Sequence, residues 1–234
     1  KFIFLGNTKP SGITNSINNG PICYVSSKTN YGFGIEYANL SSLFEVGGVK
    51  YVLVSARERT CDIIDCAYNS SAENIVIDSL VTYRNIKLTV KNINNYAFYG
   101  NDSIRSAVIK NNGYIGDYAF YGCGELRKLI IPNGITHIGH MVFARCGIST
   151  INIPNSVVCI ESGAFADNFW TSRIFVPMTV KQMGYGAFAN CGFIGRQWVK
   201  KPTTIEYAGT KQQWAQIQRE EYDNSTDVFN IQCV

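Results

Sequence analysis

Five phenylalanines, Phe98, Phe120, Phe143, Phe165 and Phe188, follow one another at steps of 22, 23, 22 and 23 residues. Most close a version of one phrase: Tyr96-Ala97-Phe98, Tyr118-Ala119-Phe120, Gly163-Ala164-Phe165 and Gly186-Ala187-Phe188, with Val142-Phe143 as the variant. No other feature constrains the fold as much as this period. One unit of that size cannot bury its apolar face alone, so neighbouring units must stack and share a core. The architecture predicted is a solenoid, which points to binding rather than chemistry.

Superposing the units reveals further columns. The second unit runs from Gly113 to Pro132 through Ile115, Phe120, Cys123, Leu126, Leu129 and Ile131. The third carries Ile138, Gly139, Phe143, Cys146, Ile148, Ile151, Ile153 and Pro154. The fourth keeps Ile160, Phe165, Ile174, Val176 and Pro177, with Asn168 in place of the cysteine; the fifth keeps Met183, Gly184, Phe188, Cys191, Ile194 and Val199. The first and least regular holds Ile93, Phe98, Asn101, Ile104, Ala107 and Ile109. Around Leu126-x-x-Leu129-x-Ile131-Pro132 the rhythm is two residues, that of a strand, with Leu129 and Ile131 inward and Lys128 and Ile130 outward. The proline closes each strand because it has no N–H for a ladder. The Ala-Phe-x-x-Cys stretch reads as a helical or 3₁₀ turn that drops the ring between strands.

Upstream, Ile63 to Tyr68 looks like a degenerate copy with Tyr68 in the phenylalanine column, followed by Ile75-Val76-Ile77. Phe44 to Val54 predicts a hairpin turning at Gly47-Gly48. Residues 1–45 are rich in Asn, Ser and Gly and read as an irregular β cap or a linker. Residues 46–205 read as the solenoid, regular from about 90, and residues 206–234 as a closing cap of one short helix plus a strand. In that cap Thr210 and Gln213 have capping-box spacing, Trp214 and Ile217 face the stack, and Val228–Ile231 is the last strand. Solenoids need such caps because an open last rung exposes core and strand edge.

The rung I-G-x-x-A-F-x-x-C-x-x-L-x-x-I-x-I-P resembles the BspA-like (Treponema-type) leucine-rich repeats of bacterial cell-surface proteins, over roughly residues 60–205. Ile205 to Trp214 also resembles the closing segment of such arrays. The resemblance implies a leucine-rich-repeat solenoid, mostly β with short helical or 3₁₀ turns, in a right-handed stack of 22–23-residue repeats with terminal caps. It also implies a secreted bacterial protein at the cell surface that acts in adhesion or other protein contacts. A signal or anchor is then expected before Lys1. Two departures stand out. Trp170-Thr171 disturbs the fourth turn, and Gln197 falls where an inward isoleucine is expected, so the fifth strand is either bulged or part of the cap.

Composition narrows the function classes. An apolar fraction of 46% and a charged fraction of 16% argue against long disordered tails. No apolar run approaches the eighteen or so residues of a membrane span. Net charge is +4, yet residues 105–211 hold eleven Lys and Arg against five Asp and Glu, a local +6 that leaves the flanks slightly acidic. That balance suits an acidic partner without requiring one. No nucleophile elbow, phosphate-binding loop or His-Glu-x-x-His is present, so neither an enzyme nor a cofactor is indicated. Nucleic-acid binding lacks both a motif and a dense basic stripe. His137 and His140 lack further ligands at metal spacing and read as surface residues. Cys123, Cys146 and Cys191, with Asn101 and Asn168 filling the gaps, read as a buried ladder. Rungs about 4.8 Å apart are wider than the Cβ separation of about 3.8 Å that a disulfide prefers, so free thiols are expected. Cys23, Cys61, Cys66, Cys159 and Cys233 lie outside that column, and their pairing is left open.

The outward strand positions carry the candidate site. One column holds Ser106, Lys128, Thr150, Arg173 and Arg196, and its neighbour holds Val108, Ile130, Asn152, Phe175 and Trp198. Apolar residues on a wet sheet face, rimmed by charge, mark contact sites, and Arg and Trp dominate interface energetics. Lys128, Ile130, Arg173, Phe175, Arg196 and Trp198 are therefore the partner-binding candidates. The competing readings are that caps or a flanking domain cover this face, or that the register slips by one. The expected role is non-enzymatic recognition of a host or bacterial macromolecule through the sheet face. The partner is a protein, of the extracellular matrix or another surface, or a glycan. The alternatives are a carbohydrate-binding surface protein and an architectural spacer.

Overall fold

A computed structural model describes residues 43–64, 72–194, 199–200, 203–219 and 229–234, together with the paired strands Phe4–Leu5 and Val25–Ser26. The alternating segments form parallel strands stacked rung on rung. Asn74–Ile77, Ser106–Ile109 and Lys128–Ile130 make one sheet; Thr150–Asn152, Arg173–Pro177, Thr204–Ala208 and Asn230–Cys233 make the next. The two sheets meet where the Ser149 N–H approaches the Arg127 carbonyl at 3.5 Å. Register aligns Ile75, Ala107 and Leu129 in one column across the strands, and Ile151, Ile174, Ile205 and Ile231 in another. These are the inward positions, with Ile75, Ala107, Ile151, Ile174 and Ile205 buried and Leu129 and Ile231 packed against the core. A narrower parallel sheet of His137–Ile138, Cys159–Ile160, Gln182–Met183 and Gln218–Arg219 closes another side.

Between the sheets the five phenylalanine rings lie in a file. Consecutive centroids are 4.7, 5.3, 5.4 and 5.7 Å apart and every ring is fully buried. Near-parallel, offset aromatic pairs add about 0.5–1.5 kcal/mol each beyond area burial.

The Ala-Phe turn is neither helical nor 3₁₀, and the reason is hydrogen-bond accounting. Bonds from Ala97 to Asn94, Tyr99 to Tyr96 and Asn101 to Phe98 do close i→i+3 turns. Tyr96 and Gly100, however, take φ of +61° and +67°, and the same left-handed pair recurs at Tyr118 and Gly122, Met141 and Arg145, Gly163 and Asp167, and Gly186 and Asn190. A helix would turn every N–H into its own turn. Here each alternate N–H is freed for the next rung: Tyr96 donates to Asp117, Phe98 to Ala119 and Gly100 to Tyr121, at 3.0, 2.7 and 2.8 Å. Left-handed geometry costs a non-glycine residue about 1–2 kcal/mol, which the inter-rung ladder offsets.

The strand that follows Arg173–Pro177 in the sheet is Thr204–Ala208, not a segment around 196–199. Phe193–Ile194 instead pairs antiparallel with Val199–Lys200. Thr171 absorbs the irregular fourth turn: it is fully buried, its hydroxyl donates to the Ile148 carbonyl at 2.7 Å, and its carbonyl accepts from Thr203 at 2.9 Å. Downstream, the helix Lys211–Ala215 starts on the expected capping box. The Thr210 hydroxyl accepts the Gln213 N–H at 3.2 Å and Gln213 Oε1 accepts the Thr210 N–H at 2.9 Å. Trp214 meets Tyr207 edge-on at 5.2 Å and Ile217 is buried. The last strand begins at Asn230, two residues later than expected, and Val228 lies outside the described residues.

At the other end, Leu43–Val46, Val49–Ser55, Thr60–Ile63, Ile86–Ile93 and Leu80–Tyr83 form a five-stranded sheet in that order. The hairpin turns at Gly47 and Gly48, with φ of +59° and +79°, the sign at both positions that a tight type I′ turn requires. Tyr68, proposed for the phenylalanine column, lies outside the described residues.

Asp62 is buried in this sheet and accepts two bonds from Asn92, from the backbone N–H at 3.0 Å and the side-chain amide at 3.1 Å. Burial raises its pKa against the lowering effect of those bonds. A folded pKa above the unfolded one means that stability is fully present in acid and is lost as pH rises through the folded value. An asparagine in its place would accept the same two bonds through its amide oxygen, without a charge. Asp62→Asn is therefore expected to raise the melting temperature at pH 7, with the gap closing below about pH 4, where an aspartate is protonated in the unfolded chain as well. Thermal denaturation across a pH series checks this; a gap that persists in acid would show that charge burial is not its cause.

Candidate functional site

The outward columns follow from the observed register. Asn74, Ser106 and Lys128 align, as do Thr150, Arg173, Thr204 and Asn230. In the neighbouring column Val76, Val108 and Ile130 align, then Asn152, Phe175, Glu206 and Gln232. Lys128, Ile130, Arg173 and Phe175 thus share one face of parallel strands. Arg196 and Trp198 lie outside the described residues, and their places in the two columns are held by Thr204 and Glu206.

Charge on this face is mostly compensated within it. Arg173 pairs with Glu206 at 2.6 Å, Arg105 with Glu73 at 3.8 Å and Lys110 with Asp78 at 2.9 Å, each across neighbouring strands. Exposed pairs of this kind stabilise by at most about 1 kcal/mol. Lys128 is exposed and makes no ion pair or side-chain hydrogen bond among the described residues. Beside it Val76 and Ile130 expose 47% and 44% of their surface, with Val108 half-buried between them. Val76 was legible as a strand residue, but its spacing of 32 to Val108, against 22 for the next step, hid its column.

A second constellation sits at the Ala-Phe turns. Tyr96 stacks on Tyr118 at 5.1 Å, Tyr99 on Tyr121 at 5.2 Å, and Arg145 lies 5.7 Å over Tyr121 while pairing with Asp167 at 3.3 Å. The twice-written Tyr-Ala-Phe-Tyr-Gly, at 96–100 and 118–122, is its signal in the sequence. These rings cover one another's faces, so the array braces the rungs rather than offering a platform.

The cysteine column is a ladder of donors. Cys123, Cys146 and Cys191 donate to the carbonyls of Phe98, Phe120 and Phe165 at 3.1–3.2 Å, and Asn168 donates to Phe143 at 2.8 Å. Burial pushes the Cys191 thiol up to about 12 and Cys146 well up too, so neither supplies a thiolate. Cys61, also pushed up to about 12 by burial, approaches the Thr89 carbonyl at 3.7 Å. Cys61, Cys159 and Cys233 are free thiols; Cys23 and Cys66 lie outside the described residues. His137 Nδ1 is 2.9 Å from the Thr136 hydroxyl and His140 Nε2 is 3.0 Å from the Tyr118 hydroxyl. An open hollow of about 390 Å³ lies on the narrow sheet between His140, Cys159, Glu161 and Arg219. Its thiol is held protonated by burial and by Glu161, and Arg219 is held by the Trp214 and Ile217 carbonyls. Among the described residues no three His, Cys, Asp or Glu converge to hold a metal.

The sequence profile of the BspA type leucine rich repeat region matches residues 91–210 in six copies. The chain belongs to that family. Two solved structures share the fold of this BspA-type chain. One is a leucine-rich cell-surface protein of Faecalibacterium prausnitzii A2-165, 23% identical, with a TM-score of 0.61 over 85% of this chain and 44% of that one. The other is a Treponema pallidum leucine-rich repeat protein, 22% identical, with a TM-score of 0.55 over 70% of each chain. The BspA-type chain thus spans less than half of the Faecalibacterium protein's length. No curated protein matches it significantly. The family is one of repeat proteins, which generally act in protein interaction, rather than an enzyme family. No described helix is long and apolar enough to cross a membrane.

Proposed function

We propose that this chain is a non-enzymatic recognition module displayed at a bacterial cell surface, where it adheres to a protein partner through the outward face of its parallel sheet. The carrying observation is the line Val76, Val108 and Ile130 on neighbouring strands, its two ends exposed and its middle half-buried, beside the unpaired Lys128. Burying such side chains yields about 25 cal/mol per Å² of apolar area, and an apolar strip rimmed by charge is the mark of a contact surface. The three strands are joined in register, Ser106–Ile109 with a neighbour on either side, so little backbone order is lost on binding. In this reading residues 46–205 form the recognition stack between an N-terminal β cap and the closing segment 206–234. Arg173 and Phe175 extend the contact toward that closing end. Display at the surface is supported by the family and by the description of the Faecalibacterium relative as a cell-surface protein.

The test presents the chain to a panel of purified extracellular-matrix and bacterial surface proteins. At least one is expected to bind. The double variant Lys128→Glu and Ile130→Glu should weaken that binding at least roughly tenfold while the circular dichroism spectrum stays unchanged, as removal of a central anchor does. A bound protein that the double variant retains at full affinity would refute this face as the contact surface.

A further inference from the structure

Trp170 exposes 53% of its surface beside the fully buried Thr171, an arrangement the core does not require. Arg127, which comes two rungs earlier, lies over it with its guanidinium carbon 5.8 Å from the ring centroid. Between the two the third rung has Gly147. A Cβ at that position would sit 1.6 Å from Arg127 Nη1 and 2.6 Å from the Gly124 carbonyl oxygen, so only glycine leaves the passage open. The guanidinium is fixed inside it: Nη1 donates to the Gly124 carbonyl at 2.9 Å and the Gly147 carbonyl at 3.4 Å, and Nη2 faces both Glu125 carboxylate oxygens at 3.4 Å. Three groups from two rungs hold this arginine in place. With the cation over the indole, Trp170 still keeps about half of its surface exposed.

We propose that Trp170, Arg127 and Glu125 form a subsite for a neutral hexopyranose ring of an oligosaccharide. The C–H-rich face of a pyranose fits an exposed indole ring, whose negative quadrupole attracts the slightly positive C–H groups. Beside the ring a hydroxyl pair needs one donor and one acceptor, which Arg127 and Glu125 supply side by side. Their charges cancel locally, and the arginine fork that would recognise a carboxylate is already turned to Glu125. An acidic sugar or an acidic peptide is therefore disfavoured. The holding bonds to Gly124 and Gly147 remove the rotamer freedom that a solvent-exposed arginine would lose on binding. This site is independent of the Val76–Ile130 strip and stands or falls separately from it.

Isothermal titration of the full chain with maltohexaose, cellohexaose and mannohexaose, and with hexagalacturonate as the acidic counterpart, tests the assignment. At least one neutral hexasaccharide is expected to bind with a Kd of about 1 mM or tighter. Trp170→Ala and Arg127→Leu should each weaken it roughly tenfold or more, Trp170→Phe should keep most of it, and Ile130→Glu should leave it unchanged. Melting curves on the same samples separate lost binding from lost folding, and Trp170→Phe keeps the ring if the alanine variant fails to fold. The assignment is overturned if no neutral hexasaccharide binds, if binding survives Trp170→Ala, if only hexagalacturonate binds, or if the surface that depends on Trp170 takes a protein instead.

Discussion

Phe143→Ala is expected to remove about 3–5 kcal/mol of stability, the range for deleting a buried aromatic side chain from a packed core. Phe143 is the middle ring of the file, with Phe120 at 5.3 Å and Phe165 at 5.4 Å. Its loss takes away transfer free energy, opens a cavity between two rungs, and breaks two ring contacts at once. Phe188 has one ring neighbour among the described residues, at 5.7 Å, so Phe188→Ala should cost less by one such contact, about 0.5–1.5 kcal/mol. A stack whose rungs touch only their neighbours also predicts a change in cooperativity. Urea unfolding of Phe143→Ala should broaden or split into two steps, because the gap uncouples the halves. A loss below about 1 kcal/mol would mean that the ring file is not what holds the rungs together.

Asn168→Leu is expected to cost about 4 kcal/mol, through hydrogen bonds rather than volume. Asn168 is fully buried and serves three backbone groups: it donates to Phe143 and Phe165 at 2.8 Å each and accepts from the Ile148 N–H at 3.2 Å. Leucine leaves the Ile148 donor and the Phe143 acceptor without the partner they have now, and each orphaned group costs about 1–3 kcal/mol. Asn168→Cys should cost only about 1–2 kcal/mol, because a thiol can donate to the Phe143 carbonyl as Cys191 does to Phe165. Equal losses for the two variants, measured by urea denaturation, would remove the donor role of this column.

Much of the fold was legible because identical rungs see identical surroundings. The inward isoleucines, the phenylalanine file and the Cys and Asn ladder need only the period and the two-residue alternation of strands. The Gly47-Gly48 hairpin and the Thr210–Gln213 cap were legible because each closes within a few residues. The turn was misread because its i→i+3 bonds belong equally to a 3₁₀ helix, and only the needs of the next rung choose between them. The candidate face was half legible. Lys128, Ile130, Arg173 and Phe175 fall where alternation places them, whereas Val76 and Glu206 enter through steps of 32 and 31 residues from the neighbouring strand, which no fixed period predicts. Arg127 and Trp170 belong to no common column. Their meeting depends on what Gly147 omits.

The amino-acid sequence alone determined that the chain must stack, which side chains form the stack's interior, and how its local turns and helix cap are made. These are properties of one rung or a few neighbouring residues, so they survive without knowledge of the rest. Tertiary structure decided which strand follows Arg173–Pro177, the left-handed geometry of the Ala-Phe turns, and the passage that seats Arg127 against Trp170. Each of those is settled by hydrogen bonds and close approaches between rungs, where the chain's path through a longer loop or past a missing side chain outweighs local preference.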